Sequence, residues 1–324
     1  MTINIITSGT GQMAAEDRIS YEKELLTNRY ADTYYEGCCK KKSLPKNEGT
    51  TLNFRRPLKY TVDQNPSPLN EGITPASTAF NFTPVTVVPQ QFGKYSAFTD
   101  RIILQGIDDN VEAAAQELGK WSGLTSDVVI RNVAVACTSV QFQGGVSAIT
   151  SLDNTGKLTV AGIKKARRTL KRNNVKPLKG GFYALLASSD AVGDLKLDPD
   201  YVEMVKFADP SKLTNGELPT IDGVMIYETN NNYINFGGGA SINSSGIQTT
   251  GGAADVHYSV MIGEEALGGI DLGNQEAEIF IKTASESGTA DPIEQRNTVG
   301  TKFWQGAVIL DQLRMIVIKS TVSV

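Results

Sequence analysis

Residues 108–136 read "DDNVEAAAQELGKWSGLTSDVVIRNVAVA". Asp109, followed three positions later by Glu112, makes a capping box, and Val111, Ala114, Ala115, Leu118, Trp121, Thr125, Val128 and Val135 keep one face apolar. The spacing predicts one unbroken helix to Ala136, about 40 Å long at roughly 1.5 Å per residue. Such a helix exceeds the usual three to four turns and serves as a spine on which other elements pack.

Downstream, the "QGG" break near Gly144 opens a region in which strands and helices mix, so the fold class is α+β. "TVAGIKKARRTLKRNN" (159–174) predicts a helix with Ile163, Ala166 and Leu170 on one side and Lys164, Lys165, Arg167, Arg168, Lys171 and Arg172 around the rest. "GFYALLAS" (181–188), "GVMIYET" (223–229), "YSVMIGEEAL" (258–267) and "AEIFIKT" (277–283) read as short buried strands. "NNNYINFGGGASINSSGIQTTGG" (230–252) has too little apolar surface to offset ordering and is expected to be a mobile surface insertion. "GAVILDQLRMIVIKSTV" (306–322) predicts a strand pair returning to the spine.

Upstream, residues 17 to 36 space Ile19, Glu22, Leu26, Tyr30 and Tyr34 for a helix that Gly37 stops. The run Lys40, Lys41, Lys42 leads into a segment where Leu52 and Phe54 alternate with polar residues as in a half-exposed strand. Half of the chain's 12 prolines fall between Pro57 and Pro89. Proline interrupts ladder pairing, so this stretch reads as a long extended hairpin with irregular edges and a loose tip. A polar, proline-broken hairpin of that length cannot bury itself in its own subunit and is expected to lie on another chain.

The 324 residues suffice for one large or two ordinary domains with a sizeable core. A hydrophobic share of 40%, a charged share of 20% and a mean hydropathy of -0.19 are ordinary globular values, and no apolar run approaches the ~20 residues of a membrane span. The N-terminus lacks the basic start and apolar stretch of a signal peptide, so the chain is expected to stay in the cytosol that made it. Cys38 and Cys39 are adjacent, which would strain a mutual disulfide, and Cys137 in "VAVACTSV" reads as a core thiol. Three such cysteines fit a reducing compartment. A net charge of -4 argues against a chain built to hold nucleic acid by phosphate neutralisation, while leaving contact with nucleic acid open.

Signals for catalysis are weak. The single histidine, His257, has no clustered partner ligands and reads as a strand or loop surface residue. No G-x-S-x-G or G-x-x-x-x-G-K-[ST] occurs. "GTGQMA" (9–14) matches G-x-G-x-x-A, yet a dinucleotide site needs a strand before it and a βαβ unit after it, whereas a helix and a lysine run follow. Asp198 and Asp200 in "LDPDY" fit a helix or turn start better than a cation loop. The basic helix at 164–172 reads either as a solvated face paired with carboxylates or as a contact for nucleic acid or an acidic partner subunit, and it lacks interleaved aromatics. Lys40 to Lys42 with Arg55, Arg56 and Lys59 form a second basic cluster, suited to salt bridges with a neighbour or to solvation. No enzyme activity, cofactor or metal is expected.

Five stretches in order around the spine, "SLPKNEGTTLNFRR" (43–56), "LNEGITP" (69–75), "QFGKYSAFTD" (91–100), "LTNGELPTIDGVMIYET" (213–229) and "DPIEQRNTVGTKFW" (291–304), resemble the major capsid proteins of tailed bacteriophages. The likeness is to the subgroup in short-tailed phages that carry a giant virion polymerase, and it covers about residues 20 to 320. It implies an N-terminal arm at 1–45, an extended loop at 46–98 crossing a neighbouring subunit, and a peripheral domain with the spine helix at 99–149. An axial domain at 150–290, with the glycine-rich insertion at 230–256, and return strands to the peripheral domain at 291–324 complete it. The implied function is self-assembly into hexamers and pentamers of an icosahedral head enclosing double-stranded DNA, with an encapsulin-like compartment shell as the alternative. The implied inter-subunit contacts are Lys46, Arg55, Arg56, Glu71, Asp291, Arg296 and Lys302. Asp291 and Pro292 would turn the chain out of the axial domain, and Trp304 would pack the returning strand on the spine. The implied partners are other copies of the chain, portal and scaffolding or accessory proteins, and packaged DNA contacted non-specifically, with no membrane. The implied location is the virion, assembled in the host cytoplasm.

Overall fold

A computed structural model of the chain describes residues 33–45, 49–60, 62, 64–65, 68–105, 110–206, 220–241, 246–272, 278–283 and 293–324. Lys46, Asp109, Asp291, Pro292, the G-x-G-x-x-A stretch and most of the helix expected over 17–36 lie outside these residues. The end of that expected helix is a 3-10 turn, Glu36–Cys38, which includes Gly37 rather than stopping at it.

The spine is α2, Asn110–Val135, 26 residues in one piece. A short helix, α1 (Asp100–Gln105), precedes it in the chain. The buried stripe of α2 is Leu118, Ser122, Ser126, Ile130 and Ala134, every fourth residue, together with Asp127. It is rotated from the face expected on hydrophobicity, since Trp121, Thr125 and Val128 are half-buried. A small hydroxyl costs little to bury when its own helix satisfies it, and Ser122 Oγ donates to the Gly119 carbonyl at 2.7 Å.

One sheet of five strands packs along α2. Its centre is β14 (Arg296–Ile309), 14 residues long. On one edge β14 pairs antiparallel with β4 (Gln90–Thr99), in register from Arg296 opposite Thr99 to Gln305 opposite Gln90. β14 also pairs antiparallel with β13 (Glu278–Lys282) through Thr298 to Lys302, and with β12 (Leu267–Leu272) through Gly306 to Ile309. Outside β12 lies β1 (Lys40–Leu44), parallel to it. The lysine run is therefore a strand. Val299, Thr301, Phe303 and Gln305 alternate into the buried face of β14, where Phe303 meets Trp121 of the spine edge-on at 6.1 Å and Phe92 of β4 at 5.7 Å. The residue that packs the returning strand on the spine is thus Phe303 and not Trp304, which alternates to the opposite face and is half-buried.

The second sheet has six strands. β11 (Val256–Ile262) lies antiparallel to β15 (Met315–Thr321), which is flanked by β5 (Val140–Phe142). On its other edge β11 pairs with β6 (Tyr183–Ala187), followed by the parallel β7 (Val224–Glu228), and with β8 (Tyr233–Asn235). Every residue of β6 and β11 is buried because both faces are covered. On one face Leu185, Met261, Ile316 and Ile318 meet α3 (Val160–Arg172), α4 (Ser189–Leu197) and α5 (Pro199–Lys206). On the other, Leu186, Val260, Ile262, Met315 and Val317 meet Ile130 and Ala134 of the spine and Tyr35.

Strand pairing links segments far apart in the chain. β12 and β13, within 150–290, belong to the sheet on the spine, while β15, within 291–324, lies inside the six-stranded sheet. β4 is likewise part of the spine sheet. β13 differs from a buried strand: all five of its residues are exposed, because it sits at the sheet edge.

The glycine-rich stretch is tied to the body by hydrogen bonds at several described positions, while Phe236, Thr249, Thr250, Gly251 and Gly252 are exposed. β8 is in the sheet, β9 (Thr249–Thr250) and β10 (Ala253–Ala254) form a small hairpin, and Ile247 is buried. Asp255 accepts from Gly237 N at 2.7 Å and from Thr250 Oγ1 at 2.9 Å. Backbone hydrogen bonds run from Gly239 N to the Ala254 carbonyl and from Ala240 N to the Leu152 carbonyl, both at 2.9 Å. Ordering here comes from polar pairing, which a count of apolar residues does not register.

Candidate assembly surface

The proline-rich hairpin is rooted in the body and bare beyond it. β2 (Leu52–Pro57) pairs antiparallel with β3 (Phe82–Val87), and Leu58 N continues the ladder to the Asn81 carbonyl at 2.9 Å. Leu52 and Val87 enter a small core with Leu44 and Ile270, supported by Phe54 and Val308. Gly268 makes room for that root, since a Cβ there would stand 3.0 Å from Phe54 Cζ.

Beyond Leu58 the described residues pair with no strand, and large apolar side chains stand in solvent. Leu69 is 76% exposed, Ile73 65% and Phe80 53%. The Phe80 ring lies 5.9 Å from that of Tyr60 and 4.7 Å from that of Phe82. Ile279, Phe280 and Ile281 on β13 add a second exposed apolar group. Monomeric proteins rarely leave such groups uncovered, and they mark sites where another chain docks.

The sequence-derived contact residues are distributed along this surface and do not converge. Arg56 points inward, pairing with Asp311 at 3.0 Å and donating to the Leu310 carbonyl at 3.4 Å, so it braces the hairpin against its own body. Arg55 alternates outward, with its guanidinium over the Phe82 ring at 4.7 Å. Glu71 is exposed in the turn closed by Ile73 N and the Asn70 carbonyl. Lys302 is exposed on β14 with its ammonium 4.7 Å from the Phe280 ring, and Arg296 starts the same strand half-buried. Within the basic cluster, Lys40 pairs with Glu265 and Lys41 with Glu36, each at 2.5 Å.

Two buried polar sites escape the sequence reading. Asp127 accepts from Glu36 N at 3.0 Å and from Asn231 Nδ2 at 2.7 Å, and Arg131 donates to Asn231 Oδ1 at 3.0 Å. Beside it the Tyr35 hydroxyl donates to Asn232 Oδ1 at 2.5 Å, so the spine, the segment before β1 and the loop before β8 are tied together. Burial pushes the Asp127 carboxyl above its ordinary range despite those donors. The only sequence signal was an acid beside an apolar helix stripe.

His257 is fully buried, contrary to the surface position expected for it. Its Nδ1 shares a 2.8 Å hydrogen bond with Ser188 Oγ, which also accepts from Ala191 N and caps α4. The pair resembles a nucleophile and base only in composition, because Ser188 serves as a helix cap and is itself buried. Burial lowers the imidazole pKa, with Asp190, Asp255 and Asp194 opposing. Cys137 is buried as expected, and the Cys38 and Cys39 thiols are free and pushed upward by burial, Cys38 to about 11. Among the described residues no three His, Cys, Asp or Glu side chains are grouped to hold a metal ion, and no helix is long and apolar enough to cross a membrane.

No protein-family model matches the chain, and no curated protein matches it by sequence. Among solved structures it is similar over nearly its whole length to phage capsids. The capsid of Ralstonia phage GP4 matches with a TM-score of 0.70 at 12% identity, covering 99% of this chain and 98% of that one. The cyanophage Pam1 capsid matches with a TM-score of 0.66 at 16% identity, covering 97% and 99%. The capsid of Helicobacter pylori bacteriophage KHP30 matches with a TM-score of 0.62 at 16% identity, covering 98% and 100%. The chain therefore has the α+β fold of phage capsid proteins.

Proposed function

We propose that the protein is the major capsid protein of a tailed phage, assembling through hexamers and pentamers into an icosahedral head around double-stranded DNA. The observation that carries this reading is the pairing of a capsid fold over the whole chain with a hairpin that is rooted in the core yet leaves its apolar tip in solvent. Residues 49–88 then act as the extended loop lying on a neighbouring copy, the spine sheet as the peripheral domain, and the six-stranded sheet with α3 to α5 as the axial domain. In this reading Arg55, Glu71 and Lys302, all exposed, contact neighbouring copies, whereas Arg56, paired with Asp311, sets the angle of the loop. The role is structural rather than catalytic. The five motifs favour the short-tailed subgroup, and portal, scaffolding and DNA are the partners that a head of this kind requires.

Expression of the full chain followed by sedimentation and electron microscopy tests the reading. Closed shells of regular diameter are expected. A chain that stays monomeric at high concentration would overturn it, and shells that enclose protein cargo and exclude DNA in infected cells would favour the encapsulin-like alternative.

A further inference from the structure

The capsid reading leaves α3 unexplained. Between Asp153 and Asp190 the sequence carries nine lysines and arginines and no carboxylate, in a chain whose net charge is -4. α3 holds six of those cations. Val160, Ile163, Ala166 and Leu170 are buried against the six-stranded sheet, while Lys164, Lys165, Arg168, Lys171 and Arg172 are exposed. At about 100° per residue these five fall within roughly 120° of arc, opposite the buried stripe. Arg167 at the margin pairs with Asp222 at 2.6 Å. A depression of about 540 Å³ runs over this face, lined by Lys164, Lys165, Arg167, Arg168 and Lys171 with Asp222 at one side. Lys176 and Lys179 extend the exposed charge past the helix end.

We propose that this face of α3 binds the phosphate backbone of double-stranded DNA without regard to sequence; the inference rests on the capsid reading, which supplies the DNA. Charge complementarity selects that occupant. From Lys164 to Arg172 the helix spans about 12 Å, and a duplex segment of that length carries about seven phosphates on its two strands, enough to face five cations from one side of the duplex. The face bears no aromatic side chain on which unstacked bases could rest, which points to a duplex backbone rather than a single strand.

A neighbouring copy would have to offer an equally dense acidic face. Many of the described carboxylates are already engaged within the subunit: Glu36 with Lys41, Glu117 with Lys120, Glu265 with Lys40 and Arg314, and Asp311 with Arg56. Asp198 caps the start of α3 through Val160 N at 2.8 Å.

The test is fluorescence anisotropy of a labelled 30-base-pair duplex of mixed sequence, titrated with unassembled full-length subunits over a series of salt concentrations. The parent is expected to bind, with affinity falling as salt rises by about 0.9 in logarithmic slope for each phosphate neutralised. Replacing Lys164, Lys165, Arg168, Lys171 and Arg172 together by Gln should weaken binding at low salt by at least about tenfold and flatten the slope by about 3 to 4. Lys164→Gln and Lys171→Gln singly should each flatten it by about 1, which keeps the test decisive should the fivefold variant not fold. Equal affinities and slopes for parent and variants, or no binding by the parent, would overturn the proposal. So would variants that bind the duplex normally but fail to form shells, since α3 would then hold a neighbouring copy. Absence of shells from the parent itself is read separately, by electron microscopy, and counts against the capsid reading instead.

Discussion

Asp127 joins three separate parts of the chain through one buried carboxylate. Replacing it with Ala strands Glu36 N and Asn231 Nδ2, and each buried group left without a partner costs about 1–3 kcal/mol. Asp127→Ala should therefore destabilise the subunit by about 2–4 kcal/mol in urea denaturation, and Asp127→Asn, which keeps one acceptor, by less. Equal stability of Asp127→Ala and parent would remove the tie from the account. His257 gives a pH signature with a definite sign. Its pKa is lowered in the fold by burial, so its contribution is fully present above the unfolded value near 6.5 and is lost as pH falls through the lower folded value. Since the chain has one histidine, the difference between parent and His257→Asn isolates it. Between pH 7.5 and 5.5 the parent should lose stability more steeply than the variant, by up to about 1.4 kcal/mol per pH unit for one proton. Parallel curves would contradict burial of a neutral imidazole.

Phe303 joins β14 to the spine and to β4. Phe303 is buried between Trp121 and Phe92, so Phe303→Ala should cost about 3–4 kcal/mol, while Trp304→Ala should cost clearly less; the reverse order in denaturant melts would place β14 in the wrong register. In the glycine-rich stretch, a Cβ on Gly239 would stand 2.9 Å from the Ala254 carbonyl oxygen and 3.0 Å from that of Leu152. Gly239→Ala should lower stability by about 1–3 kcal/mol, whereas a loose insertion would tolerate it. α3 was legible because Thr159 caps it and Val160, Ile163, Ala166 and Leu170 recur at helical spacing. β6, β7 and β11 were legible from apolar runs. β13 has the same kind of apolar sequence yet is exposed, because edge position is a property of the sheet and not of the segment. The choice between Phe303 and Trp304 depended on pairing with β4, and the order of the glycine-rich stretch on acceptors as distant as Leu152.

At the scale of the whole molecule, the two sheets share the spine between them and leave outside one long hairpin that carries exposed apolar side chains. The charge pattern follows the same division of labour: Arg56 serves the subunit, and Arg55 is left for its surroundings. Arg56→Ala should thus reduce the yield of correctly posed subunits, while Arg55→Ala should leave folding intact and reduce shell formation, since exposed charges contribute little to stability and much to register between chains. Circular dichroism of subunits and counts of particles separate the two effects; identical particle yields from Arg55→Ala and parent would remove Arg55 from the contact. As part of a capsid, the hairpin finds its missing core on another copy, and cryo-electron microscopy of assembled particles is the decisive measurement. Ordered density is expected for Leu69, Ile73 and Phe80 buried against a neighbouring subunit; a hairpin folded back on its own subunit, or left in solvent within a closed shell, would contradict the capsid reading.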